Sequence, residues 1–285
     1  MQKNGRKISY CGRVGSFSHE ASLSMFENAE YVPFNTFAKA IEAVIQNECD
    51  YVVIPIENST AGRVAEIHNL LPEMNLFIVK EKILSISHNF YSLNSQITLD
   101  DIKFVESHPQ ALMQCSNFIE KIQAEEVHAL NTAIAAENLV NSGKTTTGVI
   151  CSKIAGNHYN LHLLASNIQN KSNNYTTFIA VGKKAVDASF MQNFLHPITC
   201  VIFKLGNHTG GIYNALGCFA NNGVNLLKLE SYIPTGTEVN EAQFFVIFEG
   251  SNENSNVKNA LEMLQECTTE IKNFGSYNGD AKRFY

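Results

Sequence analysis

The sequence has few of the features that mark membrane, secreted or nucleic-acid-binding proteins. No apolar run approaches the roughly 20 residues that a helix needs to cross a bilayer. The N-terminal stretch MQKNGRKISYCGRVGSF carries positive charge, but no apolar segment follows it, so we expect no signal peptide. The whole chain has 21 Lys and Arg, which are interspersed with 27 Asp and Glu and form no basic stripe, so we expect no nucleic-acid partner. These absences favour a cytoplasmic protein of one large or two smaller domains.

Motifs for metals and common cofactors are also missing. The seven cysteines are scattered without a CxxC, which favours reduced thiols over disulfides or a thiolate metal site. The nine histidines include no HExxH. The stretch GRVG lacks the rest of a dinucleotide fingerprint, and GNHTGG lacks the GK[ST] ending of a phosphate loop. We therefore expect no metal and no nicotinamide, flavin or nucleotide cofactor.

Short apolar strands alternate with helical stretches in the first part of the chain. The run YVVIPI has the continuous apolar character of a strand buried on both faces. The order strand then helix recurs in IKFVES–HPQALMQC, in EEVHAL–NTAIAAE and in TGVICS–KIAGNHYNL. This βαβ pattern predicts an α/β fold with ligands bound where strands end and helices begin.

Polar residues gather at four of these predicted junctions. They are Ser16 with Ser18, 57–60 (Glu, Asn, Ser, Thr), 107–110 (Ser, His, Pro, Gln), and Asn131 with Thr132. The N–H groups at a helix N-terminus favour a carboxylate by about 0.3–1 kcal/mol, so several converging ends could hold a di-anion. The alternative is that Ser18, Ser59, Ser107 and Thr132 only cap helices, at about 1 kcal/mol each. One junction alone favours capping, and four together shift the balance towards a site.

The composition changes in GKKAVDASFMQNFLHP, which we interpret as a linker. The chain then reads as strand, Gly-rich turn, helix, strand, strand and helix, which predicts a small α+β sandwich.

Several motifs in chain order resemble those of the prephenate dehydratases. IPIENSTAGRV, ESHPQALMQC, NTAIAAE and NNYTTFIAVG resemble that family's PIENS-x-x-G-x-V, SHPQAL-x-Q-C, STA-x-AA and N-x-TRF, and GRVGSFSHEAS resembles its G-x-x-GTFS-x-x-A. LKLESYIP resembles the ESRP segment of the ACT regulatory domain that follows the catalytic part. The resemblance implies a two-lobed catalytic domain over 1–183, similar to type II periplasmic binding proteins, a linker over 184–197, and an ACT (ferredoxin-like) domain over 198–285.

The reaction implied by this resemblance converts prephenate to phenylpyruvate with loss of water and carbon dioxide. Aromatisation drives it, so the enzyme must hold two carboxylates and help the ring hydroxyl to leave. A positioned donor contributes about 10²–10⁴-fold to such a step, and the resemblance assigns this role to Thr176. Without the resemblance, Thr176 would be interpreted as a β-branched residue at a strand start.

The resemblance also implies a set of substrate-contacting residues. Asn58 and Ser59 line the cleft, Phe178 forms an apolar wall, and Ser107 and Thr132 cap helices and present donors. Glu57 orients neighbours, His108 is as much structural as functional, and Gln110 has the better claim of the two. The expected substrate-binding set is Ser16, Asn58, Ser59, Ser107, Gln110, Thr132, Asn174, Thr177 and Phe178.

One departure from the family motif concerns charge. The arginine of TRF is Thr177 here, and an arginine could have held a carboxylate with two hydrogen bonds. We expect either that Arg13 or Arg63 serves instead, or that turnover and specificity differ.

The resemblance further implies inhibition by phenylalanine, bound at a subunit interface of the ACT domain in a homodimer or homotetramer. The matching positions are Gly210, Gly211, Ile212, Asn225, Leu226, Glu230 and Ser231. The family's P-G-A-L turn and ESRP segment are only partly kept here, as TGGI and ESYI. The two glycines would allow close approach of an amino acid, or would simply make a turn.

Three alternatives stay open. Arogenate, with an amino group in place of the keto group, could be the substrate. A prephenate decarboxylase that does not aromatise is disfavoured by Thr176. A catalytically weak sensor of small acids or amino acids lacks a visible output domain.

Overall fold

The structure is a computed structural model that describes residues 5–234 and 242–285. In these residues the chain forms fifteen strands, numbered in chain order: β1 Lys7–Cys11, β2 Glu30–Phe34, β3 Tyr51–Asn58, β4 Gly62–Arg63, β5 Phe77–Ser85, β6 Asn89–Ser92, β7 Phe104–Ser107, β8 Glu125–His128, β9 Thr147–Cys151, β10 His162–Ala165, β11 Tyr175–Gly182, β12 Pro197–Lys204, β13 Leu226–Tyr232, β14 Gln243–Glu249 and β15 Glu270–Asn278.

The same residues contain ten α-helices and three short 3₁₀ turns. The helices are α1 Phe17–Met25, α2 Phe37–Ile45, α3 Ala65–Leu70, α4 Pro109–Gln114, α5 Ser116–Ile122, α6 Thr132–Ser142, α7 Lys153–His158, α8 Ala188–Met191, α9 Gly211–Asn221 and α10 Ser255–Cys267. The 3₁₀ turns are Leu71–Glu73, Leu99–Asp101 and Ala281–Arg283. None of the helices in the described parts is long and apolar enough to span a membrane.

The first two sheets form two α/β lobes, as the strand–helix alternation predicts. The first sheet has the order β2-β1-β3-β11-β5, with β4 paired to β3, and the second has the order β10-β6-β9-β7-β8. The chain crosses to the second lobe after β5 and returns through β11, which lies antiparallel between β3 and β5. The two crossing segments are joined where the N–H of Ile86 donates to the carbonyl of Asn174 at 2.8 Å.

The β3–β11 ladder is buried on both faces, which explains why β3 reads as a continuous apolar run. On the side of α1, Val53, Phe178 and Ala180 pack with Ile8 and Ala21. We call this the front face. On the other side, which we call the rear face, side chains of β3 and β11 share a core with the third sheet.

The third sheet is antiparallel, with the order β13-β14-β12-β15 and with α9 and α10 completing a βαββαβ unit. The sequence pattern predicted all of these elements except the final strand. Ile198, Ile202 and Phe245 of this sheet belong to the same buried cluster as Ile54 and Ile179 of the first sheet. The C-terminal unit is therefore packed directly onto the rear face, and the predicted linker contains the short helix α8.

Candidate active site

A cleft of about 990 Å³ lies between the two lobes on the front face. Eight residues that we predicted for the site line it: Ser16, Asn58, His108, Gln110, Thr132, Asn174, Thr176 and Phe178. Ser59, Ser107, Thr177 and Glu57 do not belong to this lining.

Three helices begin at the cleft. Ser16 caps α1, His108 caps α4 and Asn131 caps α6, and each side chain accepts a hydrogen bond from a backbone N–H of the first turn, at 3.3, 3.2 and 2.8 Å. The α1 cap is Ser16 and not Ser18. The α6 cap is Asn131 and not Thr132, which is the first helical residue. The remaining N–H groups of these ends supply donors to an anionic ligand.

Ser107 has a structural contact and not a cleft contact. It is fully buried, and its hydroxyl donates to the carbonyl of Ile150 at 2.7 Å. The prediction that it caps α4 and presents a donor is wrong, because His108 caps the helix and Ser107 ends β7.

The fourth predicted junction is a strand corner, because α3 begins only at Ala65. Ser59 is exposed, its oxygen accepts the N–H of Tyr175 at 2.9 Å, and its hydroxyl donates to the carbonyl of Asn173 at 3.2 Å. It joins β3 to β11 at the edge of the cleft and does not cap a helix.

A β-bulge in β3 determines which side chains of this corner enter the cleft. Phe178 pairs with Pro55 and Thr177 pairs with Glu57, so Ile56 is an extra residue in β3. Regular alternation would direct Pro55 and Glu57 to one face and Asn58 to the other. The bulge reverses this beyond Ile56, so that Asn58 joins Pro55 in the cleft and the carboxylate of Glu57 lies on the rear face.

Asn58 orients the hydroxyl of Thr176 through a hydrogen bond. Its Nδ2 donates to Thr176 Oγ1 at 2.9 Å and to Asn174 Oδ1 at 2.7 Å, and its Oδ1 accepts from the Thr60 hydroxyl at 2.6 Å. Since Thr176 Oγ1 already accepts this bond and has no protein acceptor among the described residues, its own hydrogen is available to a ligand in the cleft.

The sequence reasoning missed Gln114 as a site residue. This cleft residue of the second lobe donates to Thr60 Oγ1 at 3.0 Å, and its Oε1 lies 3.1 Å from Asn174 Nδ2 and 2.8 Å from His88 Nε2. Gln114 thus joins the two lobes through the same network that holds Asn58. Its signal was present in the motif SHPQALMQC, where only the first glutamine was singled out.

Thr177 points away from the cleft, because successive strand residues face opposite sides and Thr176 and Phe178 are both in the lining. It lies opposite Glu57 on β3 and Ile83 on β5. The prediction of Thr177 as a substrate contact is wrong, and an arginine at this position would approach Glu57 on the rear face.

Arg13 and Arg63 are the two arginines of the described cleft lining. Arg13 donates to Asn35 Oδ1 at 3.2 Å and lies 3.7 Å from Glu137 of the second lobe. The guanidinium of Arg63 lies 5.1 Å from the Tyr232 ring centre, and its Nη1 is buried without a hydrogen-bond acceptor in the described residues. Both can offer charge to a carboxylate.

Burial favours the neutral forms of two histidines and one cysteine in the cleft. It lowers the pKa of His88, although the hydrogen bond to Gln114 acts in the opposite direction, and it lowers the pKa of His108, with His128 contributing. Burial, with a smaller contribution from Glu66, raises the pKa of Cys11 to about 11. The described cleft lining therefore offers neutral donors and the guanidinium groups of Arg13 and Arg63, together with the carboxyl side chain of Glu66.

The residues that we predicted to bind phenylalanine lie in different parts of the C-terminal unit. Gly210, with φ +83°, is the cap of α9, Gly211 begins that helix, and Ile212 is exposed. Asn225 and Leu226 lie at the start of β13, whereas Glu230 and Ser231 lie near its end.

Comparisons with known proteins agree on one family. A family model described as prephenate dehydratase matches residues 8–186. Over 97% of this chain and 73% of the relative, the chain is 34% identical to arogenate dehydratase/prephenate dehydratase 1, chloroplastic, of Arabidopsis thaliana. It is 32% identical to a bifunctional N-acyl-homoserine lactone acylase/prephenate dehydratase of Komagataeibacter europaeus, with 96% of both chains covered. The solved prephenate dehydratase of Arthrobacter aurescens, in complex with L-Phe, superposes with a TM-score of 0.86 at 26% identity, covering 97% of this chain and 91% of that one.

Proposed function

The chain belongs to the prephenate dehydratase family, and on that premise we propose that it converts prephenate to phenylpyruvate, water and carbon dioxide. The observation that carries the proposal is the Thr176 hydroxyl, which is held by Asn58 at 2.9 Å with its hydrogen free to enter the cleft. Thr176 donates a hydrogen bond to the departing ring oxygen while the ring carboxylate leaves as carbon dioxide and its bonding electrons pass into the aromatic ring, and the departing hydroxide takes up a proton from solvent to become water. A donor aimed at the charge that develops on the leaving oxygen stabilises the transition state more than the substrate.

The two substrate carboxylates need positive partners on the same cleft. The N-termini of α1 and α6 and the guanidinium groups of Arg13 and Arg63 supply them. Phe178, which is 2% exposed, adds an apolar wall beside the ring. We keep Asn58, Asn174, Gln110, Thr132 and Ser16 in the proposed substrate-contacting set, and add Gln114 as the residue that holds their network across the lobes.

For the C-terminal unit we propose an ACT domain that binds phenylalanine between two copies of the chain. Asn225 with Leu226 and Glu230 with Ser231 lie towards opposite ends of β13, about five residues or about 17 Å apart at about 3.3 Å per residue. Since β13 is an edge strand, antiparallel pairing with a second copy would bring opposite ends together. The exposed side chains of Ile212 and Leu229 are consistent with such an interface. The likeness of the two lobes to periplasmic binding proteins, the domain limits and a cytoplasmic location stay predictions.

Arogenate is the second candidate substrate. Glu66 is a carboxylate in the described cleft lining, and it would be a partner for the ammonium group that distinguishes arogenate. Acyl transfer, as in the name of the Komagataeibacter europaeus relative, would need an activated nucleophile. The Ser16 side chain caps α1 and burial keeps Cys11 a thiol, so no observation on the cleft favours that reaction.

The test is phenylpyruvate formation from prephenate by the purified chain, followed by ultraviolet absorbance with and without phenylalanine. We expect turnover that phenylalanine reduces. Conversion of arogenate alone would replace the substrate, and hydrolysis of an N-acyl-homoserine lactone without dehydration would overturn the proposal. Turnover that phenylalanine does not change, with no heat of binding, would reject the regulatory part only.

A further inference from the structure

Four alternating charges lie on the rear face, where the C-terminal unit meets the corner of β3 and β4. Lys228 Nζ is 2.8 Å from Glu57 Oε1 and 3.4 Å from Glu230 Oε2. Glu230 Oε1 is in turn 4.0 Å from Arg63 Nε. Glu57 and Arg63 are opposite each other in the backbone register of the β3–β4 pairing, so three ion pairs and one strand pairing connect the four residues, which we call the ring.

Lys228 is the residue on which this ring depends. Its side chain is only 11% exposed, compared with 32% for Glu57 and 31% for Glu230. Removing one partner of a buried ion pair is costly because the remaining charge stays uncompensated. Without Lys228, the two carboxylates would lose the cation that they share, and Arg63 beside Glu230 and Arg283 near Glu57 would be the remaining positive charges.

Two features of the cleft depend on where these charges lie. Glu57 immediately precedes Asn58, which holds Thr176, and the bulge keeps the two side chains on opposite faces. Arg63 belongs both to the ring and to the cleft lining. A carboxylate that is already neutralised by Lys228 competes less for the guanidinium of Arg63.

We propose that Lys228 is a positioning residue for the cleft. It does not line the cleft itself and acts through its ion pairs with Glu57 and Glu230. It holds Glu57 on the rear face so that Asn58 supports Thr176 on the front face, and it leaves Arg63 available to a substrate carboxylate. This inference rests on the proposed dehydratase activity for its kinetic test and on the ring geometry for its stability test.

The kinetic test compares the wild type with Lys228→Met, which keeps side-chain length and removes the charge. We expect kcat/KM for prephenate to fall on the order of 10- to 100-fold, as for other small displacements of reacting groups. The matched control is Lys258→Met. Lys258 belongs to the same C-terminal unit and pairs with Glu253 at 3.3 Å, but it is 52% exposed, and we expect no change.

A second-site rescue separates positioning from a general packing role. Position 177 lies opposite Glu57 on the adjacent strand, so a guanidinium placed there can reach the same carboxylate. We expect Lys228→Ala to lose activity and Lys228→Ala/Thr177→Arg to regain most of it. A folded Lys228→Met with unchanged kcat/KM, or a loss that Thr177→Arg does not restore, would overturn the inference.

A stability cycle is independent of activity. Urea unfolding gives the free energy of unfolding of Lys228→Met, Glu57→Gln and the double variant. We expect the two single losses of this free energy to be non-additive, with the double variant no less stable than Lys228→Met alone. Additive losses would overturn the inference even if the wild type did not turn over prephenate. Absence of wild-type turnover with a non-additive cycle would reject the proposed function and keep the ring. If Lys228→Met does not fold, Glu57→Gln replaces it in the kinetic test with the same expected loss.

Discussion

The front and rear faces of the β3–β11 ladder differ in the interactions of neighbouring residues: the front face has neutral hydrogen bonds, and the rear face has an ion pair. On the front face, Asn58 and Thr176 are joined by neutral hydrogen bonds and leave a donor for a ligand. On the rear face, Glu57 is held in an ion pair by Lys228, whose side chain is only 11% exposed. A single extra residue in β3 separates the two arrangements.

The difference between the faces shows why the Glu57 carboxylate has to lie on the side of the sheet away from Thr176. In the proposed mechanism, a carboxylate beside Thr176 would repel the anionic substrate and would accept the hydroxyl hydrogen that Thr176 is proposed to donate. The bulge moves that carboxylate behind the sheet, where a lysine neutralises it. The proposed binding of a di-anion therefore depends on where the protein places its own negative charges, and Glu66 is the one acidic residue among the described cleft-lining residues.

The largest expected effect tests whether the two faces differ in function. Thr176→Val removes the front-face hydroxyl and should lower kcat by about 10²–10⁴-fold, because a positioned donor is lost from the transition state. Thr177→Val makes the same chemical change one residue along, on the rear face, and should leave kcat near the wild-type value. Steady-state kinetics with prephenate and circular dichroism of both variants provide the measurement.

Equal losses in the two threonine variants would contradict the assignment of faces. They would indicate that the strand responds to any substitution as a unit. Unchanged turnover in Thr176→Val would remove the proposed donor from the reaction altogether.

The sequence predicted the strand–helix order, the convergence of helix starts and eight residues of the cleft lining. It could not predict the bulge, because alternation in YVVIPIEN directs Glu57 and not Asn58 to the side of Pro55. It could not connect Glu57 with Lys228, since 171 positions separate them and no local pattern records the pairing. Strand β15 was missed because a second irregularity, near Gly275 with φ +89°, interrupts its alternation.

A smaller effect is expected for the arginine that belongs to both faces. Arg63→Gln should raise KM for prephenate by about tenfold or more with kcat little changed, because a charge-assisted hydrogen bond to the substrate is worth about 1.5–3 kcal/mol. Arg13→Gln should raise KM less, since Arg13 already bonds Asn35 and Glu137. Initial-rate kinetics over a range of prephenate concentrations measure both. A larger KM change for Arg13→Gln would reverse the assignment of the principal carboxylate partner.

The smallest effect concerns the pH dependence of stability, which we test with a buried histidine on each side of the ladder, His88 at the front and His68 at the rear. Burial lowers the pKa of His88 beside the cleft, opposed by its bond to Gln114. Burial also lowers the pKa of His68, which lies edge-on against Tyr232 at the rear; its hydrogen bond to the Val64 carbonyl acts in the opposite direction, and Arg63 and Lys228 lower the pKa further. Each ring has one buried nitrogen without a partner in the described residues, so protonation brings no compensating bond.

For both histidines the unfolded chain binds a proton more readily than the folded chain. The free energy of unfolding should therefore be constant above the unfolded pKa of 6.5 and should fall as the pH drops below it. At about pH 5.5 the loss is no more than about 1.4 kcal/mol per histidine. Urea unfolding near neutral pH and at about pH 5.5 measures it. His68→Gln and His88→Gln should each remove part of the dependence. If only His68→Gln reduces the pH dependence, we infer that water reaching the cleft solvates protonated His88, whereas His68 on the rear face stays shielded from water.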